Sequence, residues 1–163
     1  MHQVVRERPE KSRSVKVELR LRPAISDDQK IIRRMIRRAQ LNPFKLRWPH
    51  FTIAENTKGK IIGIAQLKPH NDGTVELASL VVRERWRGRG TASMLIDHLI
   101  AAAGKNLYLT CMSEREGLYQ KFGFVAVSGK NIISRYFRRM DRLGSLLKKI
   151  TRFNGMVMYR PRS

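Results

Sequence analysis

Apolar and polar residues alternate at the start of the ordered pattern: Val15, Val17, Leu19 and Leu21 against Lys16, Glu18, Arg20 and Arg22. A period of two predicts a half-buried strand, and Pro23 ends it. The period then changes. Ser26-Asp27-Asp28 offers helix N-cap chemistry, and behind it Ile31, Ile32, Met35, Ile36 and Ala39 fall on one helical face, with Arg33, Arg34, Arg37 and Arg38 on the other. Asn42-Pro43 ends that helix. Three strands follow in series: one on Phe51, Ile53 and Ala54, one on Ile61 to Leu67, and one from Thr74 to Val82. Turns at Lys58-Gly59 and at His70-Asn71-Asp72-Gly73 join them. A Gly-rich turn at 85–90 opens a helix with Met94, Leu95, Leu99 and Ile100 on its apolar side. Then come a short buried strand from Leu107 to Cys111, a helical turn or two from Glu114 to Lys121, and a strand from Phe124 to Val127. A basic amphipathic helix over 136–150 carries Phe137, Met140, Leu143, Leu147 and Ile150 as its apolar stripe, and Gly155 to Tyr159 closes as a strand. This β-α-β-β-β-α-β-α-β-α-β order predicts an α/β chain with a mixed sheet.

Composition narrows the class. The chain has 163 residues, of which 42% are hydrophobic. That suits one core, expected over 15–163, preceded by a flexible basic arm at 1–14. The single cysteine, Cys111, excludes an intrachain disulfide, and no metal-ligand spacing is present, so no metal is expected. The longest apolar run, from Ala92 to Ala103, is interrupted by Ser93, Asp97 and His98 and cannot span a bilayer. With no apolar leader segment, a soluble cytoplasmic protein is the expectation. The net charge of +21 points to acidic company, whether nucleic acid, an anionic surface or a phosphorylated ligand.

The strand–turn–helix from Leu80 to Leu99 is the most informative segment. A Gly-rich turn that opens a helix bares backbone N–H groups, and the helix N-terminus adds about half a positive charge. Gly88 and Gly90 keep Cβ atoms out of the way, Thr91 offers a hydroxyl, and Arg85, Arg87 and Arg89 add formal charge. Phosphate or pyrophosphate fits such a turn. A Walker loop would need Gly-Lys-Ser/Thr after four spacers. A dinucleotide fingerprint would need a third glycine where Ser93 stands.

Here the chain resembles a known family. Arg85-x-x-Gly88-x-Gly90 is similar to the Gln/Arg-x-x-Gly-x-Gly/Ala signature of the GNAT N-acetyltransferase superfamily, and Leu80-Val81-Val82 looks like its cofactor-pairing strand. Leu118-Tyr119-Gln120-Lys121-Phe122-Gly123-Phe124 looks like its second hallmark. The resemblance implies a central, mixed, mostly antiparallel sheet flanked by helices, with acetyl-CoA as cosubstrate and an amine acceptor. It implies that amides of Arg85, Trp86, Arg87, Gly88, Arg89, Gly90 and Thr91 hold the pyrophosphate. It also implies that the backbone at Leu80, Val81 and Val82 pairs with the pantetheine arm as an added strand. Two departures stand out: Glu84 where proline is common, and Ser113 where many members carry an asparagine.

Acetyl transfer to an amine needs a base, a stabilised oxyanion and a proton for the departing thiolate. Glu76 stands four residues before Leu80, a spacing similar to that of the catalytic glutamate in several members, so it is expected as base, working through a water. Strand alternation would put residues 76, 78 and 80 on one face. Tyr119 matches the family tyrosine that protonates the thiolate, and a backbone N–H near Val81 or Val82 is the expected oxyanion donor. His50 and His70 are read as structural or solvated, with His70-Asn71-Asp72 placed to line the acceptor side. Cys111 is read as a buried small side chain. A second reading belongs to a different class: a basic GNAT-fold module that binds nucleic acid or ribosomes with little catalysis. Its polyanion contacts would run through the arm and the helix at 136–150, where Arg138, Arg139 and Arg142 cluster.

Overall fold

The computed structural model describes residues 18–150 and 154–162, so the arm at 1–14 and the first strand's Val15 and Val17 lie outside the described residues. The elements are β1 (Leu19–Pro23), α1 (Gln29–Arg38), β2 (Phe51–Asn56), β3 (Ile61–Pro69), β4 (Val75–Val82), α2 (Thr91–Ala103), β5 (Leu107–Met112), α3 (Glu116–Gln120), β6 (Val125–Val127), α4 (Arg135–Ile150) and β7 (Gly155–Arg160). The strands form one seven-stranded sheet in the order β1-β2-β3-β4-β5-β7-β6. Every neighbouring pair is antiparallel except β4–β5, which is parallel. The expected mixed, mostly antiparallel sheet with flanking helices is thus present. Among the described residues no helix is long and apolar enough to cross a membrane.

Alternation assigns the two faces. Leu107 and Leu109 of β5 pack with Leu77, Leu95 and Leu99, on the side of α2. Tyr108, between them, packs with Phe137 of α4 and Val157 of β7 on the opposite side. α1 covers the same face as α4, farther along the sheet, where Ile32, Met35 and Ile36 meet Phe51, Ile53 and Ile64. One face is therefore covered by α2, and the other carries α1 and α4. Gly63 on β3 lets α2 come close: a Cβ there would meet the side chains of Leu95 and Thr91, each at 3.1 Å.

Several expectations need correction. Asp28 does not cap α1 through its side chain. Its carboxylate accepts from the Ile25 N–H at 2.9 Å and from Arg22, which also reaches Glu55, tying β1 and β2 to the helix start. The Arg22 hydrogen bond outweighs burial and holds the Asp28 carboxyl below the usual carboxylate range. Met94, expected on the apolar side of α2, is 39% exposed, and Ile96 fills the core instead. In α4 the predicted stripe packs unevenly. Phe137 is fully buried, whereas Leu143 is 50% exposed. The first turn of α4 is anchored by Asp72, whose Oδ2 accepts from Ser134 Oγ at 2.6 Å and from the Tyr136 N–H at 3.0 Å. Burial opposes the Asp72 charge, but these bonds and those from Thr74 overcome it and keep the carboxyl well below its ordinary range.

Candidate active site

The parallel pair β4–β5 is joined at a single register point, Glu76 opposite Tyr108. Beyond it the strands diverge. The edge of β4 from Leu77 to Val82 that faces β5 has no partner strand, and Ala78, Ser79, Leu80 and Val81 are all partly exposed. A strand edge of this kind presents free N–H and C=O groups to any extended ligand. Leu80, Val81 and Val82 thus line a wedge.

A bulge shapes that wedge. Ser79 has a φ of 57°, and the β3–β4 ladder slips there, from Gln66 opposite Ala78 to Ile64 opposite Val81. Gln66 Nε2 donates to Ser79 Oγ at 2.7 Å and braces the slip. The expected common face of residues 76, 78 and 80 therefore fails at 80. Leu80 packs on the α2 side and Val81 on the α1 side. Alternation in the sequence could not reveal this, because a bulge inserts one residue without changing composition.

The turn after β4 stands at the mouth of the wedge. Gly88 and Gly90 have φ of 72° and 80°, and nothing lies within 4 Å of a Cβ built on either. Gly90 is the N-cap of α2, so the first amides of that helix face the turn unpaired. Arg85, Arg87 and Arg89 are exposed. Trp86 packs on the α2-side core and lies under the Arg89 guanidinium, 5.4 Å from its ring centre. The Thr91 hydroxyl is corrected: the residue is 1% exposed with Oγ1 enclosed and unpaired, so its contribution to the turn is the backbone N–H. A cleft of about 530 Å³ lies on the α1 side of the turn, and its rim holds Arg34, Arg38, Lys60, Arg83, Arg85 and Arg87. The residues present fit a pyrophosphate: open glycines, free helix amides and surrounding cations.

At the closed end of the wedge stands a small polar network. Glu76 is 6% exposed, its Oε2 lies 3.0 Å from His70 Nε2, and its Oε1 accepts from Thr110 Oγ1 at 3.2 Å. The His70 ring is stacked on Tyr136 with centroids 3.7 Å apart. Burial first, and the Glu76 charge second, push the Tyr136 phenol above its usual value. His70, read from sequence as a loop histidine, is buried and holds the carboxylate. Its position just past the end of β3, six residues before Glu76, was the available signal.

Tyr119 lies in α3 against the α2-side core, edge-on to Phe124 at 6.1 Å. Burial, with a smaller push from Cys111, raises its phenol to about 12. Cys111 is half-buried, donates to Met158 Sδ at 3.7 Å, and is itself pushed up to about 11, chiefly by burial. The Asn154 carboxamide donates to Ser113 Oγ at the end of β5. An amide group thus stands beside the position where the family pattern expects one, a neighbour 41 positions along the chain that the sequence did not disclose.

Comparison with known proteins bears on the fold. Residues 47–126 match a family model described as acetyltransferase (GNAT) domain. The chain carries a GNAT acetyltransferase domain. No curated protein sequence matches it significantly. Among solved structures, the GNAT domain is similar to N-acetylglutamate synthase from Neisseria gonorrhoeae complexed with coenzyme A and N-acetyl-glutamate (TM-score 0.72, 20% identity, 90% of this chain and 35% of that one). It is also similar to a Mycobacterium tuberculosis protein in complex with coenzyme A (TM-score 0.68, 17% identity, 86% of this chain and 98% of that one). A third is the ribosomal-protein-S18-alanine N-acetyltransferase of Escherichia coli (TM-score 0.65, 15% identity, 90% of this chain and 95% of that one). At such identities the likeness is one of fold, and the chain spans about a third of the synthase's length.

Proposed function

We propose that this chain is an acetyl-CoA-dependent N-acetyltransferase that moves an acetyl group directly to a primary amine. The observation that carries the reading is the wedge between β4 and β5, closed at Glu76 opposite Tyr108 and ending in the Gly88–Gly90 turn. Acetyl-CoA supplies, when bound, a thioester whose carbonyl carbon is the electrophile. Leu80, Val81 and Val82 would pair with the pantetheine arm, and Arg85 through Thr91 would hold the pyrophosphate by backbone amides. Glu76 would take the amine's proton through a water. The amine nitrogen would bond to the carbonyl carbon, the carbon–sulfur bond would break, and Tyr119 would donate to the departing sulfur.

The first test is binding. Acetyl-CoA should raise Tm by mass action, by an amount that grows with its concentration. Gly90→Glu should abolish the shift, since a carboxylate would then stand in the phosphate turn and a side chain at φ of 80° is strained. A variant that binds as tightly as the parent would remove the cofactor assignment.

The basic rim favours a second role for the same surface, polyanion binding. Arg138 is less available than expected, because its guanidinium donates to the Ile132 carbonyl at 2.7 Å. Arg139 and Arg142 are exposed and make no ion pair among the described residues, and Arg34 and Arg38 project from α1. Binding to a model RNA should weaken with salt, log K falling by about 0.7 to 0.9 per log unit of salt for each phosphate contacted. Arg139→Gln with Arg142→Gln, and separately Arg34→Gln with Arg38→Gln, should flatten that slope. Absence of tight binding at physiological salt would leave the charge as a solubility device.

A further inference from the structure

A further cavity, of about 600 Å³, opens between the turn before β4, the loop before β5 and the start of α4. None of the residues 76–91 lines it, so it is separate from the wedge and from the cofactor turn. Tyr108 forms its inner wall. This residue is 4% exposed, its ring stacked on Phe137 with centroids 4.6 Å apart and tilted against Tyr159 at 4.9 Å. A phenol so deeply buried ordinarily finds a hydrogen-bond partner. The Tyr108 hydroxyl has none among the described residues, yet it is not sealed off, so the surface it keeps is turned to the cavity.

Charge around the cavity is one-sided. Lys105 before β5 and Arg135 at the start of α4 both line it, and both are exposed. Neither makes a hydrogen bond or ion pair to its side chain among the described residues. The acid on the wall, Asp72, has both oxygens occupied. Its Oδ1 accepts from the Thr74 N–H at 3.2 Å and from Thr74 Oγ1 at 2.6 Å, and its Oδ2 from Ser134 and the Tyr136 N–H. Two cations and a phenol without partners thus face one space, beside the Tyr159 ring and the exposed Ile133 side chain. A concave site of this size, with aromatic walls and a few polar groups that set orientation, is the usual form of a small-molecule site.

We infer that this cavity binds a small organic anion: a carboxylate or phosphate ester on a compact apolar or aromatic body. Lys105 and Arg135 take the anionic group, the Tyr108 hydroxyl donates to the ligand, and the body lies against Tyr159 and Ile133. The inference does not rest on the acetyl-transfer reading, because no residue assigned to the cofactor or to proton transfer lines the cavity.

The experiment is calorimetric titration of the full chain in saturating coenzyme A, which keeps probes out of the cofactor turn. The probes are phenyl phosphate, benzoate and, as their neutral counterpart, benzyl alcohol. One of the anions should bind about 10- to 100-fold more tightly than the alcohol, the range that hydrogen bonds to charged groups supply. Whichever anion binds better separates phosphate ester from carboxylate. Lys105→Met with Arg135→Gln should cut that anion's affinity by the same factor and leave the alcohol's unchanged. Tyr108→Phe keeps the ring contacts and removes only the hydroxyl, so a loss of about 2- to 10-fold is expected. Arg33→Gln with Arg37→Gln removes two charges from exposed positions on α1 and should leave binding unchanged. A Tm close to the parent's certifies the fold of each variant. The exposed Lys105 and Arg135 keep the test decisive should Tyr108→Phe disturb the core. The inference is overturned if neither anion exceeds the alcohol, or if the Lys105 and Arg135 variant binds like the parent. It is equally overturned if the Arg33 and Arg37 variant loses as much, since the attraction would then belong to the diffuse charge of a +21 chain. Failure of coenzyme A to bind bears on the cofactor assignment alone, because the substitutions locate the probe in either case.

Discussion

Replacing Glu76 by Gln is expected to lower kcat/KM by about 10²- to 10³-fold near neutral pH, within the range that a positioned acid or base supplies. The carboxylate sits at the last contact between β4 and β5, 6% exposed, and both oxygens are engaged. Glutamine keeps the volume and can still accept from Thr110, so the sheet should hold. What it loses is the charge that draws the amine and the capacity to take its proton. A primary amine is mostly protonated below its own pKa, so the defect should be largest there and should shrink as pH rises and free amine becomes plentiful. The check is the full pH–rate profile of thiol release for both proteins. A loss of equal size at every pH would assign Glu76 to positioning the acceptor, with proton removal left to solvent.

Tyr119→Phe should lower kcat by about 10²-fold, the low end for acid–base catalysis, with acetyl-CoA affinity nearly unchanged. Burial holds the phenol at about 12, so it keeps its proton throughout the physiological range and is a donor at every working pH. An ordinary thiol titrates near 8.5, well below the phenol. Complete proton transfer to the sulfur is therefore uphill, and the phenol's contribution is a hydrogen bond that stabilises the departing thiolate. The ring packs edge-on against Phe124, and that contact survives in phenylalanine. Tm should accordingly stay close to the parent's. An unchanged kcat would return Tyr119 to the role of a core aromatic.

The two predictions draw on different amounts of sequence information. Tyr119 stands in a run of seven residues that a family motif describes, and its local neighbours, Leu118 to Phe124, also determine its packing. Glu76 was legible as a candidate by its spacing from Leu80, but its environment was not. His70 and Thr110 reach it from the end of β3 and from β5, 6 and 34 positions away along the chain. The same holds for Lys68, which looks like one more surface lysine until the β3–β4 register sets it against Glu76.

Sequence by itself determined what depends on neighbours within a few residues. The strands, the helices and the Gly88–Gly90 turn follow from periodicity and from positive φ, both local properties. The turn's anion chemistry follows as well, because a helix N-terminus carries its own unpaired amides. Tertiary structure alone decided the rest. The bulge at Ser79 reverses which faces Leu80 and Val81 take, and no composition signal marks it. The outer part of α4 leaves Leu143 half exposed, because a helical stripe records amphipathicity but not how far a partner surface extends. The pairing of Glu76 with His70 instead of Lys68 is likewise a competition between groups brought together only by folding. Burial sets what such a choice costs, and burial is a property of the whole sheet and its covering helices, not of any one segment.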